Sequence, residues 1–167
     1  MKRIVADTGP LLHLHEASAL HLFPLLGSVT VSARVLAEVR QHAPAIWPSA
    51  LPDWLILAPL SSFAQQRATA WQQSGLLHGG EAEALALAGE SKPDWFATDD
   101  AAARLLADSL KIEVHGSLGI VLGCAAMQLI GKNEAESCLS RLEQSSLWLS
   151  PRVRSEARLM LAKLFAS

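Results

Sequence analysis

Short apolar segments rich in β-branched or aromatic residues alternate with longer helical patterns along this chain. The strand-like segments are Lys2 to Ala6, Ser28 to Val31, Trp54 to Leu57, Trp95 to Thr98 and Ile112 to Val114. Strands separated by helices form parallel sheets that are covered on both faces and joined by right-handed crossovers. The sequence therefore predicts a three-layer α/β/α fold with a mainly parallel central sheet of about five strands.

The helical patterns are equally regular. Residues 11–26 have a helical pattern that is broken near Ala17-Ser18, and residues 118–130, 134–145 and 153–165 form helices at the C-terminal end. No Gly-, Ser- or Pro-rich linker divides the 167 residues. A single domain over residues 1–167 is expected, since this length is enough to bury most of the apolar surface.

Composition excludes several classes of protein. No apolar run approaches the roughly 18 residues that a membrane span needs, and the N-terminus runs directly into a strand without room for a secretory signal. A cytoplasmic protein is expected. The two cysteines, Cys124 and Cys138, have no CxxC spacing and are expected to be buried free thiols.

Charge and aromatic residues give weaker indications of a partner. The net charge of −2 is not typical of a nucleic-acid binder, but residues 150–167 hold four basic side chains against Glu156 alone. This basic tail is either a solvated helix face or a contact for RNA. The tryptophans, Trp148 among them, are expected to pack in the core or an interface, and an exposed one could stack on bases.

Acidic residues follow the first and fourth strands. Asp7 ends the first strand, and Asp99-Asp100 closes the fourth. If the strand order is 3-2-1-4-5, these strands are neighbours at the point where the order reverses, which is where such sheets bind ligands. The pair Gly79-Gly80 is expected to interrupt the chain before a helix that starts at Glu81, which puts Glu81 in a first turn. Glu38 lies near the end of another helix. Each acid taken alone has an ordinary explanation as a helix cap, a dipole partner or a solvated charge.

Taken together, these segments resemble the PIN domain, particularly the single-domain prokaryotic group that includes VapC-type toxins. The resemblance covers about residues 2–130, with residues 131–167 as a helical extension. It rests on four segments in the family's order: IVADTGPLL at 4–12, VLAEV at 35–39, EAEALALA at 81–88 and ATDD at 97–100. In addition, GSLG at 116–119 resembles a loop of a less characterised branch of that group.

The resemblance assigns roles to single positions. It implies that Asp7 and Glu81 are metal ligands and that Glu38 is a ligand or a proton-handling neighbour. The acid after the fourth strand is Asp100 by the family's Thr-x-Asp pattern, whereas Asp99 is closer to the strand end, so both stay candidates. A helix turns by about 200° over two residues, which makes Glu83 a poorer candidate than Glu81.

Carboxylates in this number indicate a hard cation. Mg²⁺ and Mn²⁺ prefer oxygen ligands, and Mg²⁺ keeps several waters while one or two carboxylates anchor it. Such a cation can activate water for attack on a phosphodiester. Without it, crowded carboxylates repel one another, so one of them should hold its proton more strongly than in water.

The resemblance implies a Mg²⁺- or Mn²⁺-dependent endoribonuclease, plausible as the toxin of a toxin–antitoxin pair. RNA is then the substrate, an antitoxin protein a possible partner, and a homodimer the expected assembly. The alternative is a PIN-like nucleic-acid-binding or protein-interaction module with little or no catalysis, which the negative net charge and the Ala/Leu-rich helices favour.

Overall fold

A parallel sheet forms the centre of the computed structural model, which describes residues 1–166. Its five strands lie in the order β3-β2-β1-β4-β5, and all neighbouring pairs are parallel. The strands are β1 (Lys2–Ala6), β2 (Gly27–Val31), β3 (Leu55–Leu57), β4 (Trp95–Ala97) and β5 (Val114–His115). The predicted α/β class and the 3-2-1-4-5 order are confirmed.

Helices connect and flank these strands. They are α1 (Thr8–Glu16), α2 (Leu22–Leu26), α3 (Ala33–His42), α4 (Ser62–Gln73), α5 (Gly79–Ser91), α6 (Ala101–Ser109), α7 (Ser117–Ala126), α8 (Lys132–Glu143) and α9 (Pro151–Leu164). The predicted break near Ala17-Ser18 is confirmed, because α1 ends at Glu16 and α2 begins only at Leu22. Within residues 1–166 no helix is both long and apolar enough to cross a bilayer.

The register of the central strands sets the position of the acids. Ala6 pairs with Ala97, and the Asp7 amide extends this ladder by donating to the Ala97 carbonyl at 2.9 Å. The carboxyl ends of β1 and β4 are therefore side by side. On the other flank of β1, Gly27 faces Lys2 so closely that a Cβ there would overlap the Lys2 backbone. Only glycine permits this approach of the two strands.

The C-terminal helices complete the core. α7 packs against α8 and α9, and both cysteines, Cys124 on α7 and Cys138 on α8, are buried free thiols as predicted. The arginines of α9 all hydrogen bond within the chain: Arg152 to Glu156 at 2.8 Å, Arg154 to the Leu149 carbonyl at 3.1 Å, and Arg158 to Glu143 at 2.6 Å. These internal partners favour the solvated-face interpretation of the basic tail.

Candidate functional site

Asp7 lies at the centre of the carboxyl edge of the sheet. It follows the last residue of β1 and is only 2% exposed. Its Oδ1 accepts from the Thr8 amide at 2.5 Å, and its Oδ2 accepts from the Thr98 hydroxyl at 2.9 Å. A buried carboxylate needs such donors, because removing the charge from water is costly.

These donors do not fully offset the burial of Asp7. The pKa of Asp7 is raised from its ordinary value of 3.8 to about 7, mainly by desolvation on burial and to a lesser extent by the nearby Glu81 and Glu38 carboxylates. The hydrogen bonds from Thr98 and Thr8 act in the opposite direction. The expectation that one carboxyl holds its proton is confirmed, but its main cause is burial and crowding is secondary.

Glu38 approaches the same place from α3. Its Oε2 accepts from the Thr8 hydroxyl at 2.6 Å and its Oε1 from the Gly80 amide at 3.0 Å, while Arg34 lies 3.4 Å from Oε1. A Cβ on Gly79 would overlap the Arg34 guanidinium, and one on Gly80 would overlap the Glu38 carboxylate. The sequence predicted that the glycine pair interrupts the chain before the helix, and this prediction is wrong. It forms the first two residues of α5 and admits side chains from α3.

Glu81 lies in the first turn of α5, as predicted. Its Oε2 accepts from the His78 amide at 3.0 Å, which caps the helix. Within residues 1–166, Oε1 accepts no hydrogen bond from the protein. Glu81 therefore caps α5 with one oxygen and has the other available to a ligand.

The adjacent acids after β4 differ in their surroundings. Asp99 accepts from the Ser117 amide at 2.7 Å and the Ser117 hydroxyl at 2.5 Å, and its Oδ2 lies 2.7 Å from His13 Nδ1. Asp100 caps α6 through one oxygen, which accepts from the Ala103 amide at 2.7 Å. Asp99 is thus occupied on both oxygens, whereas Asp100 has one oxygen without a protein donor in residues 1–166.

All five predicted acids line one cavity of about 350 Å³, which we call the acid cavity. Its other lining residues are Thr8, Gly9, His13, His78, Gly80, Ser146, Leu147 and Trp148. No lysine or arginine of residues 1–166 lines it. Residues that are more than ninety positions apart in the chain therefore converge, and they form a strongly acidic surface.

The acids come together in one cavity without forming a complete set of metal ligands. In residues 1–166, no three His, Cys, Asp or Glu side chains form a group that could hold a metal ion together as they stand. The donor chemistry nevertheless suits Mg²⁺ or Mn²⁺, because the available groups are carboxylate oxygens and one of them, Asp7, has a raised pKa that a cation would lower. A hydrated ion anchored by one or two carboxylates fits this arrangement.

Sequence reasoning missed three participants. Thr98 joins two acids, since its hydroxyl donates to Asp7 and accepts from the Asp100 amide at 3.2 Å. His13 contacts Asp99, from which it is 86 positions distant in the chain. Trp148 was expected in the core or an interface, and the core is wrong because Trp148 is 79% exposed at the cavity. The Thr-x-Asp pattern was the one available signal, and it pointed to Thr98.

The fold and the cavity define a class: parallel α/β proteins with a carboxylate-lined cavity at the switch point of the sheet. The chain matches, over residues 3–163, a family model described as DUF3368, PIN domain. It belongs to the PIN-domain family. The match extends past residue 130 and includes α8 and nearly all of α9. No curated protein matches the chain. PIN domains are in general nucleases that act on nucleic acids and bind divalent metal ions.

Proposed function

We propose that this protein is a Mg²⁺- or Mn²⁺-dependent endoribonuclease that hydrolyses RNA phosphodiester bonds at the acid cavity. The observation that carries the proposal is the lining of that cavity, with five carboxylates and, in residues 1–166, neither lysine nor arginine. A phosphate cannot enter such a surface without a neutralising cation, because like charges repel strongly where water is limited. This charge distribution supports a metal-dependent reaction.

The available oxygens divide the acids by role. Asp7, Glu81 and Asp100 are the proposed metal ligands. Glu81 and Asp100 each have an oxygen without a protein donor in the described residues, and Asp7, whose oxygens accept one hydrogen bond each, has a raised pKa that a cation would lower. A bound cation would supply charge neutralisation and an activated water. Asp99 instead holds His13 and Ser117 in place.

Glu38 has a different task in this proposal. Its carboxylate holds the Thr8 hydroxyl and the Gly80 amide, and so connects α1, α3 and α5 around Asp7. It stabilises the cavity wall and lies close enough to raise the pKa of Asp7. We assign it as the proton-handling neighbour rather than as a primary ligand.

Cleavage of labelled RNA with and without Mn²⁺ tests the proposal. Asp7→Asn and Glu81→Gln should each lower the metal-dependent rate by about 100-fold or more, because even groups that only surround metal ligands contribute about 10- to 100-fold. Glu83→Gln is the matched control, since Glu83 is two residues along α5 and does not line the cavity. Equal cleavage by wild type and Asp7→Asn would identify a contaminating nuclease and contradict the proposal.

A second candidate is an interaction module with little catalysis. It is favoured by exposed apolar residues on α9, where Leu159 is 62% and Met160 is 50% exposed, and by the absence in residues 1–166 of a three-ligand metal group. Expression in a bacterial host separates the two. A ribonuclease toxin slows growth unless Asp7 is replaced by Asn, whereas a binding module gives the same growth with either chain. A cognate antitoxin, a homodimer and a cytoplasmic location belong to the toxin proposal.

A further inference from the structure

A second cavity adjoins the acid cavity. It encloses about 400 Å³ and shares Asp99, Leu147 and Trp148 with the acid cavity, so the two adjoin at these residues. We call it the side cavity. Any polymer whose phosphate lies among the acids has its neighbouring groups within reach of this second space.

The side cavity combines apolar walls with a polar margin. Its apolar side chains belong to β5, α7, the α8–α9 loop and the start of α9: Val114, Leu118, Leu122, Leu147, Leu149 and Val153. Its margin holds Arg104 and His115. Arg104 is exposed, donates to the Thr98 carbonyl at 3.4 Å, and makes no ion pair within residues 1–166. Flat apolar contact bordered by hydrogen-bond donors is the chemistry that recognises a nucleobase.

The residues on either side of Trp148 are held in place between the two cavities. The preceding residues are anchored, because Glu16 accepts from both the Ser146 amide at 2.6 Å and the Ser146 hydroxyl at 2.7 Å. The following residue, Leu149, is only 9% exposed. The indole is therefore presented to solvent by a fixed segment, with 79% of its surface exposed. A large aromatic group displayed in this way beside a charged cavity is typical of a stacking surface.

We propose that the side cavity binds an unpaired nucleobase of the strand whose phosphate lies in the acid cavity, with Trp148 as the stacking face and Arg104 at the base edge. The inference rests on the proposed nuclease function. It adds that the substrate is single-stranded, because a base within a duplex is already paired and stacked and must leave the helix to reach the cavity.

Charge favours a nucleic acid over an acidic peptide as the occupant. Asp99 forms part of both cavities, so an acidic side chain beside it would be repelled. A nucleobase is neutral, and the phosphate attached to it in the acid cavity can be neutralised by the metal ion. Because the cavities adjoin at Asp99, Leu147 and Trp148, a phosphate in one and its base in the other are neighbouring groups of one strand.

Binding of a labelled single-stranded oligoribonucleotide with non-hydrolysable linkages tests the inference, with Mn²⁺ present to neutralise the acid cavity and wild type as the parent. Trp148→Ala should weaken binding by roughly 5- to 100-fold, the range for loss of one base–aromatic stack. Trp148→Phe should bind within a few-fold of its parent. Phe63→Ala is the matched control, because Phe63 is also exposed, at 67%, but lies on α4 away from both cavities.

A strand with abasic positions provides a second comparison. Its binding should be weaker than that of the intact strand by a similar factor, and Trp148→Ala should add no further loss. Intrinsic fluorescence gives an independent readout, because Trp47 and Trp95 are buried whereas Trp148 is exposed. The strand should quench the emission of the parent, and Trp148→Phe should remove most of that quenching.

The outcomes separate this inference from the function on which it rests. If wild type cleaves RNA but Trp148→Ala binds the strand as tightly as its parent, the base site is wrong and the nuclease stands. Equal affinity for intact and abasic strands, or for duplex and single strand, would also overturn it. If no protein binds or cleaves nucleic acid, both proposals fall.

Discussion

Asp7 is a carboxyl group that the fold isolates from water at the junction of β1 and β4. Its pKa of about 7 lies above the value of 3.8 expected in the unfolded chain, so the folded protein binds more protons than the unfolded chain between these values. In this window the free energy of unfolding must therefore fall as pH rises. The stabilisation is complete below about pH 4 and is lost as pH rises through about 7.

Replacing Asp7 by Asn should remove this dependence. We expect the stability of wild type relative to Asp7→Asn to fall by up to about 4 kcal/mol between the two pKa values, at about 1.4 kcal/mol per pKa unit. Chemical denaturation of both proteins across this pH range, without metal, measures the difference. Parallel curves for the two proteins would show that Asp7 does not titrate in this window.

Divalent metal should reverse the loss for wild type alone. Because a ligand that binds only the folded state stabilises it by mass action, Mg²⁺ or Mn²⁺ in excess of its Kd should raise the melting temperature at neutral pH. Asp7→Asn should show little of this shift. No shift for wild type at millimolar metal would count against the ion site.

The adjacent acids Asp99 and Asp100 should respond differently to the same substitution. Asp99→Asn places an amide against the Ser117 donors and His13, so we expect a loss of about 1–3 kcal/mol in stability. Asp100→Asn retains the helix cap, because Asn caps as well as Asp, and should leave stability nearly unchanged while impairing metal-dependent cleavage. Thermal unfolding together with the cleavage assay distinguishes them, and the reverse pattern would make Asp99 the ligand.

Which of these two acids is available to a ligand could not be read from sequence. Both follow β4, and both suit a helix cap. The difference arises from Ser117 and His13, which are 18 and 86 positions from Asp99 in the chain. Short polar patterns carry no information about such distant donors, so the sequence predicted the group of acids but not their individual hydrogen bonds.

At the scale of elements, the first turn of α5 can pack against α3 only because Gly79 and Gly80 have no side chain. Gly80→Ala should displace the Glu38 carboxylate from the Gly80 amide and Thr8, and so lower cleavage and stability together. A loss of about 1–3 kcal/mol is expected, as for overpacking elsewhere. Gly131→Ala is the control, since a Cβ there meets nothing within 4 Å. Equal behaviour of the two variants in thermal unfolding would show that Glu38 moves aside without cost.

The strands and helices were largely predictable from the sequence, and the start of α5 was the exception. The alternation of β-branched strands with helices gave the sheet, and the break after Glu16 was visible in the pattern. Gly79 and Gly80 were interpreted as an interruption because glycine disfavours helices. Tertiary packing against Arg34 and Glu38 reverses that preference, and a local pattern cannot anticipate it.

For the molecule as a whole, the distribution of charge matters more than its sum. The net charge of −2 gives no sign of an acid cavity that has neither lysine nor arginine among the described lining residues, beside a second cavity that holds Arg104. This separation suits a substrate that brings phosphate to a cation and a base to an apolar wall. The strand order 3-2-1-4-5 brings the acids together, because this order places the ends of β1 and β4 next to each other.

Diffraction from crystals soaked in Mn²⁺ is the most direct test of whether these distant carboxylates share an ion. An anomalous peak in the acid cavity, within coordination distance of Asp7 and of Glu81 or Asp100, is the predicted result. An empty cavity at millimolar Mn²⁺, or a peak bound only elsewhere on the surface, would contradict it.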